Sequence, residues 1–118
     1  MSIDDRTRKL EGFSSLPITR FCYLKNLVIE KDFQPGRFTC DVELLLAEDT
    51  LPESPRLRLK FIKAADIRIG DLNALFALFM SIRDVADRQL EDITYRVVEE
   101  EHSSISLYCR DFEYEVLE

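Results

Sequence analysis

Residues able to do chemistry are concentrated in one stretch of this chain. "EEEHSSISLYCRDFEYE", Glu99 to Glu115, contains the single histidine, one of the three cysteines and six carboxylates. Three chemistries come into question: metal ligation by His102 with the acids beside it, nucleophilic catalysis by a Cys–His pair, and acid–base work by two carboxylates. Each makes a geometric demand that the spacing does not meet. Glu99, Glu100, Glu101 and His102 are consecutive, so on a strand or turn their side chains point in different directions and do not converge on one ion. Zinc in addition wants several His or Cys ligands. His102 and Cys109 are seven residues apart, or about 23 Å along an extended strand, well outside hydrogen-bonding reach. With 23 acids in the chain, nearness in sequence selects no glycosidase-like carboxylate pair. The surroundings of the other two cysteines, "RFCYL" at Cys22 and "FTCDV" at Cys40, have no activating pattern. Only Gly12, Gly36 and Gly70 are present, too few for a phosphate-cradling loop. The expectation is therefore no catalytic residue, no metal and no cofactor.

What the stretch does offer is charge. Residues 1–37 have seven Lys/Arg against five Asp/Glu, whereas residues 84–118 have three against eleven, which makes the C-terminal third the acidic pole of a chain whose net charge is −7. Such a surface repels nucleic-acid phosphates and acidic membranes and draws in cationic partners. The "RLRLK" segment is a local basic stripe, read here as a solvent face opposed by acids and not as a nucleic-acid contact. Glu99, Glu100, Glu101, Asp111, Glu113 and Glu115 are the candidate partner-binding residues. The alternative is an acidic face that only solubilises.

The elements that position these residues are mostly strands. "RFTCDVELLLAE" sets Phe38, Cys40, Val42, Leu44 and Leu46 on one side of a period-two pattern, and "RLRLKF" sets Leu57, Leu59 and Phe61 inward with Arg56, Arg58 and Lys60 outward. "QPGR" between Phe21–Phe33 and the next run has Pro35 and Gly36 where a type II turn wants them, which predicts a hairpin. "DIRIGDL" reads as a short strand closed by Gly70. Leu72 to Phe79 follows helical spacing behind Asp71 as N-cap, while Phe79 to Val85 also alternates as a strand; both readings stand. "ITYRVVEE" and "SISLYC", joined by "EEHSS", predict a second hairpin. Beyond Cys109 the apolar positions change from odd to even, with Phe112, Tyr114 and Val116 now inside, which predicts a β-bulge near Arg110 and Asp111. "DDRTRKLEGF" is a candidate N-terminal helix.

The fold class is α+β, mainly antiparallel sheet of five to seven strands with one or two short helices, in a single domain over 1–118. Its 46% apolar and 33% charged composition suits an ordered globular chain. The longest apolar run, Ala74–Met80, is seven residues against the roughly twenty of a membrane span. An N-terminus of mixed charges and three cysteines with no CxxC pair place the chain in the cytoplasm with reduced thiols.

One resemblance sharpens this. The series "DVADRQLEDITYRVVEEEHSSISLYCRDFEYE" resembles the ending of small bacterial proteins, some of them similar to immunity proteins of polymorphic toxin systems. The matching positions are Asp87, Tyr95, Val97, Ile105, Ser106, Tyr108, Cys109, Phe112 and Glu113. The resemblance covers about a third of the chain and includes no catalytic motif. It implies a non-enzymatic protein that neutralises a cognate toxin by binding, and it favours the strand reading of Phe79 to Val85. The expected function is therefore a protein-interaction domain, immunity-like, whose acidic face meets a cationic protein partner. The alternative is a secretion-type chaperone that holds an effector segment.

Overall fold

Alternation with period two marks most of the segments after Tyr23, and among the described residues strands are what it builds. The computed structural model describes residues 3–72, 78–86 and 93–117. Helix α1 (Ile3–Ser14) is followed by a 3₁₀ turn at Ile18–Arg20. The strands are β1 (Tyr23–Gln34), β2 (Arg37–Ala47), β3 (Arg56–Ile62), β4 (Ala65–Ile69), β5 (Met80–Asp84), β6 (Tyr95–Glu99), β7 (Ile105–Cys109) and β8 (Asp111–Leu117). They form two four-stranded sheets, in the orders β1-β2-β3-β8 and β4-β7-β6-β5, and every pairing is antiparallel. This is the α+β class read from the sequence, with one strand more than the expected range.

The inward rows of both sheets meet in one core. Val42, Leu44, Leu46, Leu57, Leu59, Phe61 and Phe112 from the first sheet join Met80, Tyr95, Val97, Ile105, Leu107 and Cys109 from the second. Tyr95 and Phe112 contact edge to face across the two sheets, with ring centroids 4.9 Å apart, a favoured aromatic geometry. Helix α1 ties the sheets together. Its Phe13 packs edge-on against Phe112 and Tyr114, its Arg6 pairs with Asp84 at the end of β5, and its Lys9 pairs with Asp111 at the start of β8.

The Pro35–Gly36 turn stands where the sequence predicts it: Gln34 and Arg37 are the closing pair, and Gly36 has φ +72°, the value the second turn position requires. The helix expected over Leu72 to Phe79 falls largely on residues outside those described. The alternative strand reading is the one observed, as β5.

Two expectations are corrected. The phase slip after Cys109 is not a bulge within one strand. β7 ends at Cys109 in the second sheet and β8 begins at Asp111 in the first. A strand that passes from one face of a shared core to the other must change which parity points inward, and Arg110 is where that happens. Phe38 shares the inward parity of Val42 and Leu44 but is 68% exposed: no described element covers it.

Candidate functional site

The six sequence-predicted acids do not form one cluster. Glu99, Glu100 and Glu101 are at the turn between β6 and β7, in the second sheet, while Asp111, Glu113 and Glu115 are on the outward row of β8, in the first.

Glu99 departs furthest from expectation. It continues the inward row Tyr95–Val97 and is 0% exposed, so the expected surface carboxylate is a core residue. Its Oε2 accepts from the Phe79 and Glu101 amides at 3.0 and 2.8 Å. Its Oε1 accepts from the His102 amide at 2.7 Å and the Ser104 hydroxyl at 3.1 Å. Burial pushes its pKa up, but the three backbone donors and the hydroxyl outweigh that and hold it below the ordinary glutamate value. The local sequence explains the need. This turn has no glycine, and Ser103 takes the left-handed conformation at φ +52°, which disfavours an L side chain by roughly 1 kcal/mol. A carboxylate that satisfies two amides and a hydroxyl of the same turn compensates for it.

The other five acids remain at or near the surface, and three of them are engaged within the chain. Glu100 accepts from the Ser81 hydroxyl at 2.7 Å and pairs with Arg83 at 3.5 Å. Asp111 holds Lys9 at 2.7 Å. Glu115 pairs with Arg58 at 2.8 Å, and Arg58 also reaches Glu43 at 3.7 Å. The basic stripe of β3 is thus set between acids of β2 and β8, with Lys60 opposite Glu43 on one side and Glu113 on the other in register. Glu101 and Glu113 are exposed.

The Cys–His chemistry is geometrically divided. His102 is exposed on the turn, whereas Cys109 is buried at the far end of β7. Burial, with the Asp111 charge adding to it, pushes the Cys109 thiol up to about 12, so at neutral pH it is protonated and not nucleophilic. Burial does the same to the Tyr95 phenol, pushed up to about 12 with help from Asp111 and Asp84. Among the described residues no three His, Cys, Asp or Glu side chains are placed to hold a metal ion. Nor is any described helix long and apolar enough to cross a membrane.

A feature the sequence reading did not single out lies at the end of the β1–β2 hairpin. Phe33 and Phe38 are opposite one another in register, stack with centroids 6.3 Å apart and planes 28° from parallel, and are 75% and 68% exposed. Val28 and Ile29, farther back on β1, are exposed as well. Isolated exposed apolar residues are ordinary, but two large aromatics stacked in water on a projecting ribbon are the composition of an interface anchor. The only sequence signal for this was negative: nothing in the pattern gives the reach of the opposite sheet.

Comparison with known proteins adds one finding. No curated protein and no solved structure matches the chain. The family model described as "Immunity protein PIM8" matches residues 6–115, which includes α1 from Arg6, every strand through Glu115 of β8, both hairpin turns and all six acids. The chain belongs to the immunity protein PIM8 family.

Proposed function

We propose that this chain confers immunity by binding a cognate toxin in the cytoplasm, as a non-enzymatic inhibitor whose acidic surface speeds encounter with a cationic partner. The observation that carries the reading is the family match over nearly the whole chain, residues 6–115. The described surface agrees with a binding role in one respect: large aromatic area is left exposed on one hairpin.

The electrostatic part does not require the acids to converge. A net charge of −7 produces a field that steers a basic protein toward the acidic pole before contact, an effect on association rate that weakens as salt rises. Within the predicted set this role falls to Glu100, Glu101, Glu113 and Glu115 at the surface. Asp111 contributes through its pair with Lys9, and Glu99 holds the turn that presents its neighbours.

The test is to screen the products of the genes flanking this chain's gene for a toxic domain and to measure its binding as association and dissociation rates, together with rescue of growth when both are expressed. Wild type is expected to bind and rescue. Glu101→Lys with Glu113→Lys is expected to slow association several-fold at low salt and little at high salt. Binding that ignores both the reversals and salt removes the electrostatic part. A chain that neither binds nor rescues removes the function. The chaperone alternative predicts instead a stable dimer that holds a secreted effector and gives no protection.

A further inference from the structure

The hairpin end is more than an exposed pair of rings, because the sheet beside it is missing a strand. β2 pairs with β3 from Ala47–Arg56 up to Val42–Phe61 and no farther, although β2 itself continues back to Arg37. Extending that register would place Lys63 opposite Cys40 and Ala65 opposite Phe38. The chain leaves instead. Lys63 takes a left-handed φ of +54°, its amide is held by the Asp41 carboxylate at 3.0 Å, and the Ala64 amide makes one last bond to the Cys40 carbonyl at 2.6 Å. Ala65 then starts β4, which pairs with β7 in the other sheet.

The departure opens a recess of about 570 Å³ between Gly36–Cys40 and Lys63–Ala65. Its floor is strand edge. In an antiparallel ladder the amide and carbonyl of one residue point to the same side, and consecutive residues point to opposite sides. Arg37 closes the turn against Gln34 and therefore faces β1, whereas the Cys40 carbonyl faces the other way, toward Ala64. Phe38, two residues from Cys40, turns its amide and carbonyl into the recess, where no strand among the described residues stands opposite it. The charged side chains lining the recess are both cations, Arg37 and Lys63.

We propose that this vacated strand position, with the exposed Phe33–Phe38 pair at its mouth, is the docking site for an extended, carboxylate-bearing segment of the toxin, which adds as a third strand beside Phe38. The proposal rests on the immunity reading and deepens it by naming the surface and the chemistry of what it takes. Strand addition supplies backbone hydrogen bonds, and the flanking side chains select the segment. The occupant is assigned by charge: the charged side chains lining the recess are the cations Arg37 and Lys63, with the one acid Asp32 lining the adjoining hollow beside them, and this excess of cation matches a carboxylate and discriminates against a basic strand. The acidic pole and the basic recess then have separate tasks, the first in encounter and the second in holding the docked complex.

The experiment uses the full chain and the purified toxic domain identified by the flanking-gene screen above. Phe33→Ala with Phe38→Ala is expected to weaken binding by at least tenfold, and Arg37→Glu with Lys63→Glu by about tenfold, in both cases through faster dissociation with the thermal midpoint almost unchanged. Amide exchange followed by NMR supplies a readout that side-chain contact alone would not move: the Phe38 amide slows in the complex, while Thr39, whose amide faces β1, is already protected in the free chain. Folded variants that bind and protect like wild type overturn the docking site and leave the immunity reading standing. Self-association that disappears in Phe33→Ala/Phe38→Ala while toxin binding is unchanged overturns it in favour of a second copy as occupant. Wild type that does not bind the toxin overturns both.

Discussion

The root and the tip of the β1–β2 hairpin follow one alternating pattern and end in different environments. Leu44 and Leu46 are completely buried, while Phe38, on the same row of the same strand, is mostly exposed. At the root, β2 has β1 on one side and β3 on the other, and the second sheet lies over its inward face. At the tip, β3 has left and nothing described covers the aromatic pair. The outward face differs in the same way. At the root its cations are matched by acids on adjacent strands, as Arg58 is by Glu43 and Glu115; at the tip Arg37 and Lys63 line one recess, Asp32 lines the hollow beside it, and Asp41 holds the Lys63 amide and not a side-chain cation. Strand pattern alone does not separate a residue that holds the fold together from one available to a partner. The reach of the neighbouring elements does.

The sharpest way to break this comparison is to truncate one residue of the inward row at each end. Leu59→Ala, in the sealed core beside Leu44, is expected to lower stability by about 3 kcal/mol through lost burial and a residual cavity. Denaturant titration measures it. A change below about 1 kcal/mol would mean that the root is loosely packed and that the contrast with the tip is false.

Glu99 is the next largest effect and extends the comparison to the other hairpin. Glu99→Ala leaves two turn amides, the Phe79 amide and the Ser104 hydroxyl without their acceptor, and is expected to destabilise by about 2 kcal/mol. The sign of its pH dependence follows from the lowered pKa. A carboxyl whose folded pKa lies below its unfolded value, 4.5 for glutamate, adds stability that is fully present above that value and is lost as pH falls through the folded pKa. Wild type should therefore lose midpoint stability below about pH 4.5, and Glu99→Gln should show a shallower fall over the same window. Equal slopes would show that the carboxylate is not held as described.

Thiol labelling sharpens the distinction between core and surface without altering stability. Cys109, buried and with its thiol pushed up to about 12, should resist an aromatic disulfide reagent at pH 8 in the native state and react fully on unfolding. Rapid native labelling at that position would place the sheet-switching segment at the surface.

The smallest expected effects are the most diagnostic for function. Phe38→Ala should change stability by no more than about 0.5 kcal/mol, since what it loses is a cross-strand aromatic pair in water and not burial. Arg58→Ala, on the outward face of the root, should be similarly mild, because exposed ion pairs contribute only about 0–1 kcal/mol. A large loss in Phe38→Ala would mean that the tip is structural, and the exposed pair would lose its standing as an anchor.

Much of the architecture was legible because it depends on local alternation. The strand Leu57–Leu59–Phe61, the Pro35–Gly36 turn and the hairpin around Glu100–His102 each follow from neighbouring residue types. The phase change after Cys109 was legible as an event but not as its kind, because a bulge and a sheet switch leave the same shift of parity. Glu99 was readable in principle, since it occupies the inward parity of Tyr95 and Val97. Its charge argued the other way, and only the turn amides that converge on it resolve the conflict. Of the acids expected to meet a partner, sequence gave residue types and a field but no common surface.

The sequence by itself determined the fold class, the separation of His102 from Cys109 and the acidic C-terminal third, because periodicity, strand rise and charge count are properties of neighbouring residues. The tertiary structure decided which inward-facing residues are covered. It buried a carboxylate, exposed two phenylalanines of a core row and left a strand position open beside Phe38. Those outcomes depend on where β3 turns away at Lys63 and on how far the second sheet extends, distances between elements that no single segment encodes.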